Sequence, residues 1–298
     1  MNPFLKKLID GDILIADGAT GTNLQKMGLQ AGMLPEEFIM EQPEQLLALA
    51  TRFVESGSDI ILTCTFGGTS LRMKESRYAD RAAEINLRAV ELARQAAAQK
   101  PGVCVAGSIG PTGALIQPYG PATPEEVSAA YTTQVEALAK GGVDLLVIET
   151  MFSMDEASLA FDAAMKVADL PVVVSFSYDR GARTMMGVKP AQVIDYFADN
   201  GAAAVGANCG TTLENMEKIL LEYGSRRPGF PIWAKPNAGL PRMDKTFTMV
   251  YDVTPEQMGE AALRYIQHGA RIVGGCCGST PEHVAGIAQA VSRNRLLS

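Results

Sequence analysis

No apolar run in this chain approaches the roughly 20 residues that a membrane-crossing helix requires. The most apolar stretches, such as Val143 to Ile148, are strand-length and interrupted by Asp144. The amino terminus, Met1 to Asp10, carries two lysines and ends in an acid, without the apolar core of a signal peptide. The expected setting is therefore the cytoplasm, with no membrane partner. Basic clusters are also missing. Lys and Arg number 26 against 33 Asp and Glu, a net charge of −7, which leaves no electrostatic footprint for nucleic acid. No low-complexity or Ser/Pro-rich stretch divides the chain, so disorder and a multidomain string are excluded. Five cysteines, an odd number in a long chain without a secretion signal, fit reduced thiols rather than a disulfide framework.

What is present is ample core material. At 298 residues, with 47% hydrophobic and 20% charged side chains, the chain can bury one large α/β domain. Eight β-rich runs alternate with helical stretches: Ile13 to Ala16, Asp59 to Leu62, Val103 to Gly107, Val143 to Ile148, Pro171 to Phe176, Ala203 to Ala207, Pro231 to Lys235 and Arg271 to Gly274. Most are continuously apolar, as parallel strands covered on both faces should be. The pattern predicts a (β/α)8 TIM barrel occupying residues 1–298 as a single domain. A doubly wound sheet would place a glycine-rich phosphate fingerprint after the first strand, and Asp17-Gly18-Ala19-Thr20-Gly21-Thr22 has its glycines in another pattern.

Helix starts are marked by Thr123-Pro124-Glu125, Thr254-Pro255-Glu256 and Thr280-Pro281-Glu282, each with a capping threonine, a proline at the first helical position and an acid to complement the dipole. Helical periodicity covers Glu44 to Val54, Asp80 to Ala98, Asp155 to Val167 and Ala191 to Ala198. The long first crossover, Thr22 to about Glu41, reads as an excursion over the barrel mouth.

Cysteines dominate the chemistry. Asn208-Cys209-Gly210 and Gly274-Gly275-Cys276-Cys277-Gly278 lie far apart in sequence but follow the sixth and eighth runs, whose carboxyl ends converge on one barrel face. Adjacent cysteines can share an ion only where a strand breaks into a turn, and the flanking glycines permit that. Asn237, at the end of the intervening run, is placed to add an oxygen. Three thiolates with an open fourth position fit a catalytic Zn2+, one per chain, that deprotonates and retains an incoming thiol for alkylation. The competing reading is a set of buried core cysteines.

Asp17 and Glu149, at two other strand ends, suit the ammonium of an amino acid, with the Gly18 and Ala19 backbone at its carboxylate and Ser108 on the same rim. Capping or a buried polar network is the alternative for the two acids. His268 and His283 read as surface or capping residues, Trp233, Cys64 and Cys104 as core. Met151, Met154, Met185 and Met186 read as packing, or as an apolar rim for a donor.

Asp17-Gly18-Ala19-Thr20-Gly21-Thr22, Thr63-Cys64-Thr65-Phe66-Gly67, Gly107-Ser108-Ile109-Gly110-Pro111-Thr112, Ile148-Glu149-Thr150, Asn208-Cys209-Gly210, Pro236-Asn237-Ala238-Gly239 and Gly275-Cys276-Cys277-Gly278 together resemble the homocysteine S-methyltransferase family. The likeness runs end to end and is closest to the homocysteine-binding barrel of cobalamin-dependent methionine synthases. Many relatives have asparagine where this chain has Cys64. The resemblance implies zinc on Cys209, Cys276 and Cys277, with Asn237 as a fourth ligand displaced by homocysteine sulfur. It implies Asp17 and Glu149 at the homocysteine ammonium, and Gly18 to Ala19 at its carboxylate. The Gly107 to Pro111 loop would shape the pocket. The implied product is methionine, and the implied methyl donor is methylcobalamin carried by a separate corrinoid protein or domain. Direct use of S-methylmethionine or betaine is the alternative within the class. From other classes stand a non-catalytic zinc-thiolate subunit and a metal-free barrel lyase or aldolase working through Lys235.

Overall fold

The computed structural model describes residues 1–30, 32–243 and 249–297. Its strands are β1 (Leu14–Ile15), β2 (Ile60–Leu62), β3 (Cys104–Ile109), β4 (Leu145–Met151), β5 (Val172–Phe176), β6 (Ala204–Asn208), β7 (Ile232–Lys235), β8 (Arg242–Met243), β9 (Met249–Val250) and β10 (Ala270–Val273). Eight of them form one parallel sheet in the order β1-β10-β7-β6-β5-β4-β3-β2, and each overlaps one of the runs read from sequence. A parallel bridge between Ala16 and Ile60 joins the two edge strands and closes the barrel. The remaining pair, β8 and β9, is a short antiparallel ribbon.

That closing seam is narrow, and two aspartates reinforce it. Asp59 accepts the Ile15 N–H through Oδ2 at 3.0 Å, and Asp17 accepts the Leu62 N–H through Oδ2 at 2.7 Å. Side chains here replace ladder bonds that a fuller strand pair would supply.

Strand alternation divides the barrel interior into two layers. The lower layer is apolar and fully buried, built from residues such as Leu14, Cys104, Leu145, Val173, Trp233 and Ile272. Further along the same inward-facing positions the residues become polar: Ser108, Glu149, Ser175, Asn208, Lys235 and then Cys276. Burial thus fills the bottom of the barrel, and the top is left for chemistry.

A helix that the sequence reading did not identify, Pro3–Ile9, seals the bottom. Asn2 caps it by accepting the Phe4 and Leu5 N–H groups, and its own amide donates to the Asp144 carbonyl at 2.7 Å. Phe4 is completely buried in the apolar layer. The helix Leu213–Arg226 was also not anticipated, although its buried Leu213, Met216, Ile219, Leu220 and Tyr223 fall at helical spacing. The other helical expectations match Pro43–Glu55, Ala82–Ala97, Met154–Val167 and Pro190–Asp199.

All three Thr-Pro starts open helices, at Pro124, Pro255 and Pro281. Thr123 and Thr254 form capping boxes with Glu126 and Gln257. At the third start His283 takes the glutamate's place: its Nδ1 accepts the Thr280 N–H at 3.1 Å while Nε2 pairs with the Val253 carbonyl at 2.8 Å. His268 caps the helix Pro255–Gln267 at its carboxyl end and meets Glu217 at 3.1 Å. Among the described residues no helix is long and apolar enough to cross a membrane.

Phe4→Ala should lower unfolding free energy by about 3–5 kcal/mol in a denaturant titration, the usual cost of emptying a buried aromatic site. The mutated end lies opposite the polar layer, so the metal-binding capacity described below should be retained.

Candidate metal centre and cavity

Cys209 follows β6, and Cys276 and Cys277 follow β10, where the strand has already broken into a turn. Backbone hydrogen bonds lace these ends to the loop after β7. Cys209 N–H donates to the Lys235 carbonyl at 3.1 Å, Cys276 N–H to Pro236 at 2.7 Å, and Ala238 N–H to Cys277 at 2.9 Å. The glycines contribute for different reasons. Gly278 lies at φ +80° with Tyr251 against it, whereas at Gly275 a Cβ would stand 2.3 Å from Ser279 Oγ.

Two other residues here adopt left-handed backbone without being glycine, Thr150 at φ 62° and Cys209 at φ 58°. A β-branched residue in that region is a genuine outlier. The Asn208 side chain holds it in place. Its Oδ1 accepts the Thr150 N–H at 2.9 Å and the Ser175 hydroxyl at 2.6 Å, while its Nδ2 donates to Thr150 Oγ1 at 2.7 Å and to Cys276 Sγ at 3.8 Å. The strained corner and one candidate ligand are therefore aligned by the same amide.

The three Sγ atoms lie within 4.8 Å of one another. Cys209 and Cys277 sulfurs are 3.7 Å apart, too far for a disulfide. Tetrahedral zinc with Zn–S bonds near 2.3 Å places its sulfurs about 3.8 Å apart, so the spacing fits. Asn237 is buried next to this loop, and its Oδ1 has no hydrogen-bond partner among the described residues. Tyr251, which no sequence pattern singles out, packs its ring against Gly278, next to Cys277.

Without a metal the thiols hold their protons. For Cys209 the Cys276 contact lowers the pKa, but the Cys277 thiol and burial outweigh it and push it to about 11. The Cys209 contact likewise lowers Cys277, which the Cys276 thiol and burial carry up to about 12. Cys276 is also raised, first by its contact with Cys209.

The cysteines open onto a cavity of about 430 Å³ that is also lined by Gly18, Ala19, Ser108, Glu149, Lys235 and Glu36. Thr22, Gln25, Pro35 and Glu36, from the first crossover, cover it, so that segment does lie over the mouth. Ser108 Oγ donates to Glu149 Oε1 at 2.6 Å. Burial raises the Glu149 pKa, against the pull of Lys235 and Ser108.

Asp17 is placed behind this wall rather than on it. Its Oδ1 takes the Lys235 ammonium at 2.6 Å, each side chain 3% exposed, and its Oδ2 takes the Leu62 N–H. Burial alone would lower the lysine pKa; the charges of Asp17 and Glu149 outweigh it and keep the ammonium protonated. A lysine so held is a poor Schiff-base nucleophile. The Ala19 N–H, expected at a substrate carboxylate, already donates to the Ser279 carbonyl at 3.2 Å.

Glu36 is buried on the cavity wall with Oε1 on the Gly67 N–H and Oε2 unpartnered among the described residues. Burial and then the Glu36 charge drive the Cys64 thiol well up, which keeps it out of thiolate chemistry. Cys104 and Trp233 are core residues, as expected. The four methionines divide: Met151 is fully buried and Met154 packs on the core, but Met185 and Met186 are more than half exposed.

A family model described as homocysteine S-methyltransferase matches residues 14–291. Methionine synthase from Mycobacterium leprae (strain TN) is 29% identical over 297 residues; the match takes in 94% of this chain, which spans only about a quarter (24%) of that relative's length. Among solved structures, the homocysteine methyltransferase MmuM from Escherichia coli in its oxidized form aligns with a TM-score of 0.80 at 26% identity, covering 97% of this chain and 99% of that one. Its metallated form gives 0.79 at 25% identity with the same coverage. A methyltransferase from Methanosarcina mazei, at 13% identity and TM-score 0.61, covering 99% of this chain and 98% of its own, shares the fold.

Because the thiol pKa values stand above neutrality, near 11 at Cys209 and 12 at Cys277, an entering divalent metal must displace protons. Apparent metal affinity should therefore rise with pH through the neutral range and fall on acidification, by up to about tenfold per displaced proton per pH unit. Zinc titration in weakly buffered solution with a pH indicator measures the protons released; pH-independent uptake would contradict this cluster as the site.

Proposed function

The chain belongs to the homocysteine S-methyltransferase family, and from that premise we propose that it methylates the sulfur of homocysteine to give methionine, using a zinc ion held by Cys209, Cys276 and Cys277. The observation that carries this reading is the trio of sulfurs within 4.8 Å of one another, one pair at 3.7 Å, on the wall of a cavity with acidic and basic groups within reach. When bound there, zinc lowers the pKa of an incoming thiol, so that the acceptor is a thiolate at neutral pH.

The chain's own residues bind and orient. Glu149, held by the Ser108 hydroxyl, takes the acceptor ammonium by a charge-assisted hydrogen bond. Asp17 acts on the same end of the cavity through Lys235, since both its oxygens are engaged. Gly18 and Ala19 bring the backbone close to the acceptor, and the unpartnered Asn237 Oδ1 is the oxygen available to a fourth coordination position. Asn208 donates to the Cys276 sulfur and so tempers its charge. In the transfer, acceptor sulfur forms a bond to the methyl carbon, and the pair from the broken bond leaves with the donor.

For the donor we favour a methyl-corrinoid on a separate protein or domain, supported by the likeness to a stretch of the Mycobacterium leprae methionine synthase. The whole-length match to Escherichia coli MmuM supports a second reading, a small sulfonium or betaine donor used directly.

Zinc-loaded protein supplied with homocysteine and, in turn, methylcobalamin, a methyl-corrinoid protein, S-methylmethionine and betaine should form methionine with the corrinoid donors. Methionine from the sulfonium or betaine alone selects the second reading, and none from any donor overturns the assignment. Cys277→Ser should lose zinc and turnover while keeping its far-ultraviolet circular dichroism; unfolding instead would mark the metal as structural. Glu149→Gln should raise the homocysteine KM by about 10- to 100-fold, the worth of a hydrogen bond to a charged group. The KM for mercaptobutanoate, which lacks the ammonium, should be unaffected.

A further inference from the structure

An amino-acid thiol carries a carboxylate as well as an ammonium into the cavity, and an anion leaving water needs a positive or donor partner there. One backbone donor of this wall is already used, because the Ala19 N–H is donated to Ser279. Among the described residues Lys235 is the one cationic side chain lining the cavity, where Glu36 and Glu149 are the acidic side chains. Its ammonium is tightly fixed. Asp17 Oδ1 holds it at 2.6 Å, and the buried Trp233 ring lies 5.7 Å away in the layer beneath. A lysine ammonium has three donors, and among the described residues Asp17 is the one acceptor that Nζ meets.

We infer that Lys235 binds the α-carboxylate of the acceptor through N–H groups that Asp17 leaves unused, and that Asp17, anchored by the Leu62 N–H, is the positioning residue that aims it. The assignment rests on the reading of this cavity as an amino-acid thiol site. It gives the acceptor three attachments of distinct chemistry: sulfur toward the cysteine cluster, ammonium on Glu149, carboxylate on Lys235. A thiol of the same length lacking either charged group would make one fewer. The alternative role for Lys235 is a counter-charge to the cysteine cluster, because Cys276 is near enough to raise its pKa.

Calorimetric titration of the zinc-loaded protein with homocysteine, aminopropanethiol (no carboxylate) and mercaptobutanoate (no ammonium) separates these roles. In Lys235→Met, homocysteine and mercaptobutanoate should bind about 10- to 100-fold more weakly, as expected for loss of a hydrogen bond between charged groups. Aminopropanethiol binding and zinc content should stay at wild-type values, and Lys235→Arg should recover part of the loss. The Asp17→Asn/Lys235→Met double variant, which removes the buried charge that Lys235→Met alone strands on Asp17, should show the same selectivity and serves if the single variant does not fold. Equal weakening of all three thiols, undiminished homocysteine binding or loss of zinc would each overturn the assignment. Wild-type protein that binds none of the three overturns the acceptor reading itself, and with it the role of Lys235.

Discussion

The buried pair between Lys235 and Asp17 spans the strand that carries two of the three cysteines. β10 lies between β1 and β7 in the sheet, so an ion pair from the end of β7 to the end of β1 brackets the Cys276–Cys277 loop from both sides. Burying two charges costs several kcal/mol each, and their attraction recovers it only when the geometry is good and the remaining hydrogen-bond capacity is used. Asp17 meets that condition with Leu62 N–H on its second oxygen. The pair fixes where the cavity is positive, which carboxylate still faces it, and how closely β1 approaches β7 around the cysteine loop.

A second constraint works in the opposite corner. Asn208 spends two of its four polar contacts on Thr150, which stands in left-handed backbone, a conformation a β-branched residue does not favour. Local strain is tolerated because the surrounding hydrogen bonds over-determine it. One amide thereby sets the direction of the β4 end, next to Glu149, and touches one candidate ligand, Cys276.

Much of this was legible in the sequence because it depends on local pattern. Eight apolar runs gave the barrel, Thr-Pro steps gave helix starts, and the position of Cys209 and Cys276–Cys277 after particular runs put them on one face. What escaped was pairing over long separations. Lys235 and Asp17 are 218 positions apart, and nothing near either residue announces the other. The Ala19 amide looked free because its acceptor, Ser279, belongs to the opposite end of the chain. Asn208 was visible only as a neighbour of Cys209, although its inward-facing register on β6 was a usable clue. Tyr251 had none, being outside any periodic segment. The helix Leu213–Arg226 is a different case: its buried Leu213, Met216, Ile219, Leu220 and Tyr223 stand at helical spacing in the sequence itself.

The barrel seam has a consequence for motion. Between β1 and β2 one bridge and two aspartate carboxylates take the place of a full ladder, so this is where the staves part most readily and where amide exchange should report breathing of the closed ring. One of those carboxylates is Asp17. Any ligand that stiffens the Lys235 contact also tightens the seam, which makes occupancy of the cavity audible as slowed exchange at Leu62, on the far side of the Asp17 carboxylate from the lysine.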